Sequence, residues 1–161
     1  MRSPGRSVCG LARVAEAGEE RCMGIIVVGV DASDTAHEAA AVASRLAAGL
    51  GSTLHIVTAF ERGGSAHTQG GDQAHTVRAI DRAETLVATV AADFRTSVPE
   101  VTTAVGSGKA ADVICAEAER VGADLIVVGN KRTQGMSRVL GAVAAKVVSH
   151  TPCDVHIAHP S

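Results

Sequence analysis

The sequence predicts an α/β protein built on one parallel sheet, with helices packed on both of its faces. Three observations carry that prediction. Residues 25–28 (Ile-Ile-Val-Val) and 125–128 (Leu-Ile-Val-Val) are short unbroken branched apolar runs, the composition of strands shielded on both faces. Such runs alternate along the chain with segments of helical period, and that alternation calls for parallel pairing through right-handed crossovers. Glycine follows both runs, at Gly29 and Gly129, where a chain leaving a sheet has to turn.

The length of 161 residues suits one compact domain. Residues 1–22 mix Arg, Gly, Ser and Glu without a sustained apolar period and read as a disordered extension, with Met23 a candidate natural start and the domain spanning 23–161. A targeting peptide is the rival reading, but no apolar run there is long enough for its hydrophobic segment. Residues 24–31 make the first strand, with Asp31 at its carboxyl end. Asp31-Ala32-Ser33-Asp34 starts a helix that Ser33 or Asp34 caps; His37 through Leu50 gives it an Ala-rich body with Ala40, Ala43, Leu46, Ala47 and Leu50 on one face, and Gly49 and Gly51 stop it. Residues 53–60 form the second strand, and residues 61–72, rich in Gly, Ser and His, form a long loop. A helix over 73–96 sets Val77, Ile80, Ala83, Leu86, Val87, Val90 and Phe94 at helical spacing as its core face. The third strand covers 98–105 and turns at Gly106-Ser107-Gly108. The helix over 109–121 offers Ala110, Val113, Ile114, Ala116 and Ala118 for packing. After the fourth strand, Gly141 opens a helix over 142–148, and the last strand, 155–158, lies between Pro152 and Pro160.

Composition excludes several functions. No stretch approaches the roughly 20 apolar residues of a membrane span. With Phe60 and Phe94 the only aromatics and a net charge of −2, a base-stacking nucleic-acid platform is not expected. Cys9, Cys22, Cys115 and Cys153 lack CxxC spacing and no secretory segment precedes them, which points to a reducing cytoplasm and to Cys115 and Cys153 as small buried hydrophobes. His156 and His159 point to opposite faces of a strand, His67 and His75 sit in or near the loop, and HExxH is missing, so no resident metal site is expected. Gly106-Ser107-Gly108-Lys109 resembles the end of a P-loop, yet Thr103 and Ala110 stand where Gly and Ser or Thr are required. GxGxxG and GxSxG are also missing, so no nucleophile is placed and a weak ATPase is the most that is expected.

One stretch does suggest chemistry. Between Gly129 and Gly141 lie Lys131, Arg132 and Arg138, and a helix follows. The unpaired N–H groups of its first turn and the positive end of its dipole both favour an anion. The plainer alternatives are a strand end, a helix start and a solvated basic loop, with Asp31 a turn residue.

Here the sequence resembles the universal stress protein family, whose ATP-binding members carry a glycine, two residues, a glycine, nine residues, then glycine and Ser or Thr. This chain has Gly129, Asn130 and Lys131, then Arg132 in place of the second glycine, eight residues, Gly141, and Ala142 in place of the hydroxyl residue. The resemblance extends from Gly24 to about His159 and includes Val28-Gly29-Val30-Asp31 with Ser33, and Thr151-Pro152-Cys153-Asp154-Val155. It implies a five-stranded sheet of order 3-2-1-4-5, an adenine nucleotide alpha hydrolase-like, Rossmann-like fold with its ligand crevice between strands 1 and 4. It also implies a nucleotide site. Asp31 lies by the ribose or the Mg ion of bound ATP, and backbone groups near Gly29, Val30 and Ala59 contact the base. Gly129, Gly141, Ala142 and Val143 cradle phosphates, with Asn130, Lys131, Arg132 and Arg138 in the same site.

The function so implied is a cytoplasmic stress-response regulator that binds ATP or a related adenine nucleotide such as cyclic AMP without efficient turnover. An ATP hydrolase of the same fold and a dimeric interaction module with a non-binding pocket are the alternatives. The last strand, with Val155 and Ile157 on one face and His156 and Ala158 on the other, has an unpaired outer edge, and the resemblance implies a homodimer through it.

Overall fold

The structure, a computed structural model, describes residues 24–61, 72–130, 140–151 and 153–159. The strands β1 Ile25–Gly29, β2 Thr53–Phe60, β3 Glu100–Ser107, β4 Leu125–Gly129 and β5 Asp154–Ala158 form one sheet in the order β3-β2-β1-β4-β5. Every neighbouring pair is parallel. The helices are α1 Asp34–Leu50, α2 Asp72–Phe94, α3 Ala110–Val121 and α4 Ala142–His150.

Strand alternation divides the core into two layers. Ile26, Val28, Leu54, Ile56 and Val127 meet the alanines of α1 and Val87, Val90 and Ala91 of α2. Val27, Val57, Ile126 and Val128 meet Ala111, Ile114 and Ala118 of α3 and Ala144 and Val147 of α4 on the opposite face. β1 and β4 are buried from both sides, which is why their sequences are continuously apolar. Aromatics are scarce, and α1 instead buries Ala36, Ala39, Ala40, Ala43 and Ala47, small side chains that let the helix approach the sheet closely.

Several boundaries differ from expectation. β1 ends at Gly29 rather than Asp31, because Val30 makes one further bond to β2 and Asp31 then folds back on Ser33. α1 begins at Asp34 with Ser33, one of the two expected caps, as its cap; Gly49 lies inside it instead of stopping it, and Gly51, at φ 65°, ends it. α2 covers 72–94 rather than 73–96. Val98 is buried but lies in the turn before β3, which starts at Glu100 opposite Thr53 and keeps Gly106 and Ser107 in its ladder; the turn falls at Gly108, φ 130°. Lys109 caps α3 instead of lying within it, α4 continues to His150, and β5 begins at Asp154. Val77 of α2 and Leu50 of α1 are exposed, since both lie near helix ends beyond the cover of the core, and Ala116 faces solvent while Ala111 takes the packing place. The expectations for 1–23, for most of the loop after Glu61 and for the basic loop 131–139 lie outside the described residues.

Candidate functional site

A cavity of about 260 Å³ opens at the carboxyl edge of the sheet, where the strand order reverses between β1 and β4. Gly29, Val30 and Asp31 line it from β1 and the turn that follows, Val57 and Ala59 from β2, and Val128 and Gly129 from β4. Thr35 and Ala36 of α1, Ala110 and Ile114 of α3, and residues 141–144 at the start of α4 complete the wall, with Ser33 at the cap of α1.

Gly129 is dictated by close approach to backbone, and Gly29 leaves room for a side chain of α3. A Cβ on Gly129 would lie 2.8 Å from the Thr35 carbonyl oxygen and 2.9 Å from its Cγ2, so a side chain here would push α1 off the sheet. A Cβ on Gly29 would collide with Cδ1 of Ile114 and lie 3.1 Å from its Cγ1.

The turn after β1 is built by side chains. Asp31 Oδ1 accepts from the Ser33 N–H at 2.9 Å and from the Ser33 hydroxyl, while Ser33 Oγ accepts from the Ala36 N–H at 3.3 Å. This chain of bonds starts α1 and holds the carboxylate at the cavity. Val30 is committed to the fold: its N–H donates to the Val57 carbonyl at 2.8 Å, and its carbonyl accepts from the Thr58 hydroxyl at 2.8 Å. Because the Val57 carbonyl points toward β1, strand alternation turns the N–H and C=O of Ala59 the same way, past the point where β1 has ended. Ala59 thus offers the crevice a paired backbone donor and acceptor, the edge a planar heterocycle requires.

On the other side, Gly141 caps α4 without a side-chain bond, and the first intrahelical bond runs from the Ala145 N–H to the Gly141 carbonyl at 2.9 Å. The N–H groups of Ala142, Val143 and Ala144 therefore have no partner within the helix. Asn130, 5% exposed, holds this end in place: its N–H donates to Ala158 at 3.0 Å, and its Oδ1 accepts from the Gly141 N–H at 2.9 Å. The starts of α1, α3 and α4 all abut the cavity, so three positive dipole ends favour a negatively charged occupant.

The expected residues Gly29, Val30, Asp31, Ala59, Gly129, Gly141, Ala142 and Val143 are brought together around this cavity. Asn130 lies behind the wall as a brace, and Lys131, Arg132 and Arg138 lie outside the described residues. Sequence reasoning missed Thr35, Ala36, Val57, Val128 and Ala144 as lining residues and read Ala110 and Ile114 only as packing. No spacing rule marks them, because they meet only once the sheet is wound.

A buried polar cluster stands apart from the cavity. His55, 4% exposed on β2, meets the Thr102 hydroxyl through Nδ1 at 2.7 Å and Glu117 Oε1 through Nε2 at 2.9 Å. Glu117 is also paired with Arg120, and these partners, Arg120 foremost and then His55, hold its carboxyl down at about 2.

These features define a doubly wound α/β protein with an anion-favouring crevice at its switch point. A sequence model of the universal stress protein family matches residues 23–159. A Thermus aquaticus universal stress protein, encoded in the 3′ region of a QAH/OAS sulfhydrylase gene, is 34% identical over 134 residues, covering 81% of this chain and 94% of its own. Universal stress protein UspA from Lactobacillus plantarum superposes with a TM-score of 0.64 at 28% identity, over 84% of this chain and 97% of that one. A universal stress protein in complex with cyclic AMP superposes with a TM-score of 0.67 at 26% identity, over 87% and 99%. The chain belongs to the universal stress protein family.

Proposed function

We propose that the protein is a stress-related regulator that binds an adenine mononucleotide in this cavity, cyclic AMP or ATP, and releases it without efficient turnover. The observation that carries the reading is the pairing, across one cavity, of the backbone edge of Ala59 with the uncapped first turn of α4. The first suits a purine edge and the second a phosphate. Val30, Val57, Ile114 and Val128 supply apolar surface for the base between them. The volume of about 260 Å³ lies just below the range of ligand pockets, roughly 300 to 1,000 Å³, and suits a mononucleotide rather than a dinucleotide. The relative with bound cyclic AMP supports the same ligand class.

Asp31 is the one titratable side chain among the described residues of the cavity wall, and it is engaged by Ser33. That favours binding over hydrolysis. A single carboxylate does not make a metal site, but it fits a Mg ion that arrives already bound to ATP phosphates, which Mg typically shares with one or two carboxylates. Lys131, Arg132 and Arg138 are assigned to the phosphate end, and the cytoplasm to the protein's location. The ATP hydrolase alternative is separated by the products formed.

Calorimetric titration with cyclic AMP, AMP and ATP, with and without Mg, tests the reading, alongside a phosphate-release assay. Saturable one-site binding with no sustained phosphate release is expected. Absence of binding at millimolar ligand would overturn it in favour of an interaction module, and multiple-turnover release would favour the hydrolase.

A further inference from the structure

The last residue of β1 has no side chain, and the space beside it is filled by α3. Ile114, 4% exposed, lies against Gly29 closely enough that a Cβ there would collide with it, and it lines the cavity. One residue earlier, Val113 sits over Gly106 in the same way, where a Cβ would collide with Cγ1 and lie 3.1 Å from Cγ2. One turn later, Glu117 is tied at 2.9 Å to the buried ring of His55 on β2. α3 is thus held against the sheet before and after Ile114, which keeps that side chain at the cavity wall. An aliphatic wall offers no hydrogen bond, and it discriminates by volume alone.

We infer that Ile114 is a specificity-determining residue: it closes the floor of the cavity beside Gly29, accepts the flat adenine ring and excludes an adenine enlarged on the edge that meets α3. This rests on the adenine-nucleotide reading above and adds to it the residue that sets the size limit of the base.

The test is calorimetry on wild type, Ile114→Val and Ile114→Ala with cyclic AMP and with its 2-chloro, 8-bromo and N6-benzyl analogues. Circular dichroism melts establish that each variant is folded. Truncation to Ala, which removes three carbons, is expected to weaken unmodified cyclic AMP by roughly 10-fold or more and to tighten at least one enlarged analogue by a similar factor, since a single methylene in an apolar pocket is worth about 10-fold or more. Ile114→Val should fall between, and it carries the test if the alanine variant does not fold. Wild type that binds cyclic AMP, with folded variants that gain no enlarged analogue, overturns the inference alone. Wild type that binds no adenine nucleotide overturns the functional reading and this inference with it.

Discussion

Ala142 stands in the first turn of α4, where its N–H faces the cavity but its methyl group offers no bond. A hydroxyl there would add a hydrogen bond to a charged oxygen, worth roughly 1.5 to 3 kcal/mol, or about ten to a hundred fold in affinity. Ala142→Ser is therefore expected to tighten nucleotide binding by about that factor in a calorimetric titration, and an unchanged dissociation constant would mean that phosphate does not reach this turn. Gly129 makes the opposite case. Gly129→Ala places a methyl group 2.8 Å from the Thr35 carbonyl oxygen, a backbone atom that cannot rotate away. A loss of roughly 1 to 3 kcal/mol in urea denaturation is expected, the usual cost of overpacking, together with weaker binding because α1 and the Asp31 turn shift. A variant as stable as wild type would show that α1 is less tightly seated than the structure has it. Gly129 was legible in the sequence as a strand end; the reason it must be glycine was not, since Thr35 is far away in the chain.

At the scale of elements, α3 brings Ala110 and Ile114 to the cavity wall and Glu117 to a buried contact. Its periodicity identified Val113 and Ile114 as packing residues, yet nothing in spacing indicated that Glu117 would face a buried histidine on β2. That contact has a pH signature. Glu117 is held at about 2 in the folded protein, chiefly by Arg120, against an ordinary value of 4.5. The unfolded chain takes up this proton first as pH falls. The contribution of the group to stability is thus complete above about pH 4.5 and is lost progressively between about 4.5 and 2. Urea denaturation of wild type and Glu117→Gln across that range should give curves that differ at pH 6, by about 1 to 3 kcal/mol, and converge as the pH is lowered toward 2. Parallel curves would remove Glu117 from the account. Elsewhere the elements themselves were legible, β2 at both ends, while several other ends were not. Apolar period gave the buried face of α2, but Val77 continues the period past the edge of the core and is exposed. The start of α1 was legible in its Ser33 cap, and the Asp31–Ser33 bonds that fix it came only with the structure.

For the whole molecule, the sheet topology does the work that motif spacing could not, drawing Asp31 and Gly129 to one crevice by placing β1 beside β4. The alternation of strands and helices made the parallel sheet legible, whereas the strand order came from the family resemblance. The same topology leaves β5 at an edge. The Asn130 N–H bonds the Ala158 carbonyl, so by alternation Val155 and Ile157 turn their backbone groups outward. A homodimer through this edge is expected at micromolar concentration, and Ile157→Pro should dissociate it while leaving the ladder to β4 intact. Light scattering decides, and a monomeric wild type would exclude this interface.

The central claim, that an adenine nucleotide occupies the crevice between β1 and β4, is tested most directly by amide chemical-shift mapping during titration with cyclic AMP. Saturable shifts concentrated at Gly29, Ala59, Gly129, Ala142 and Val143 are expected, with the amides of α2 and the outer edge of β3 unmoved. Saturable shifts centred elsewhere, or none at millimolar ligand, would contradict it.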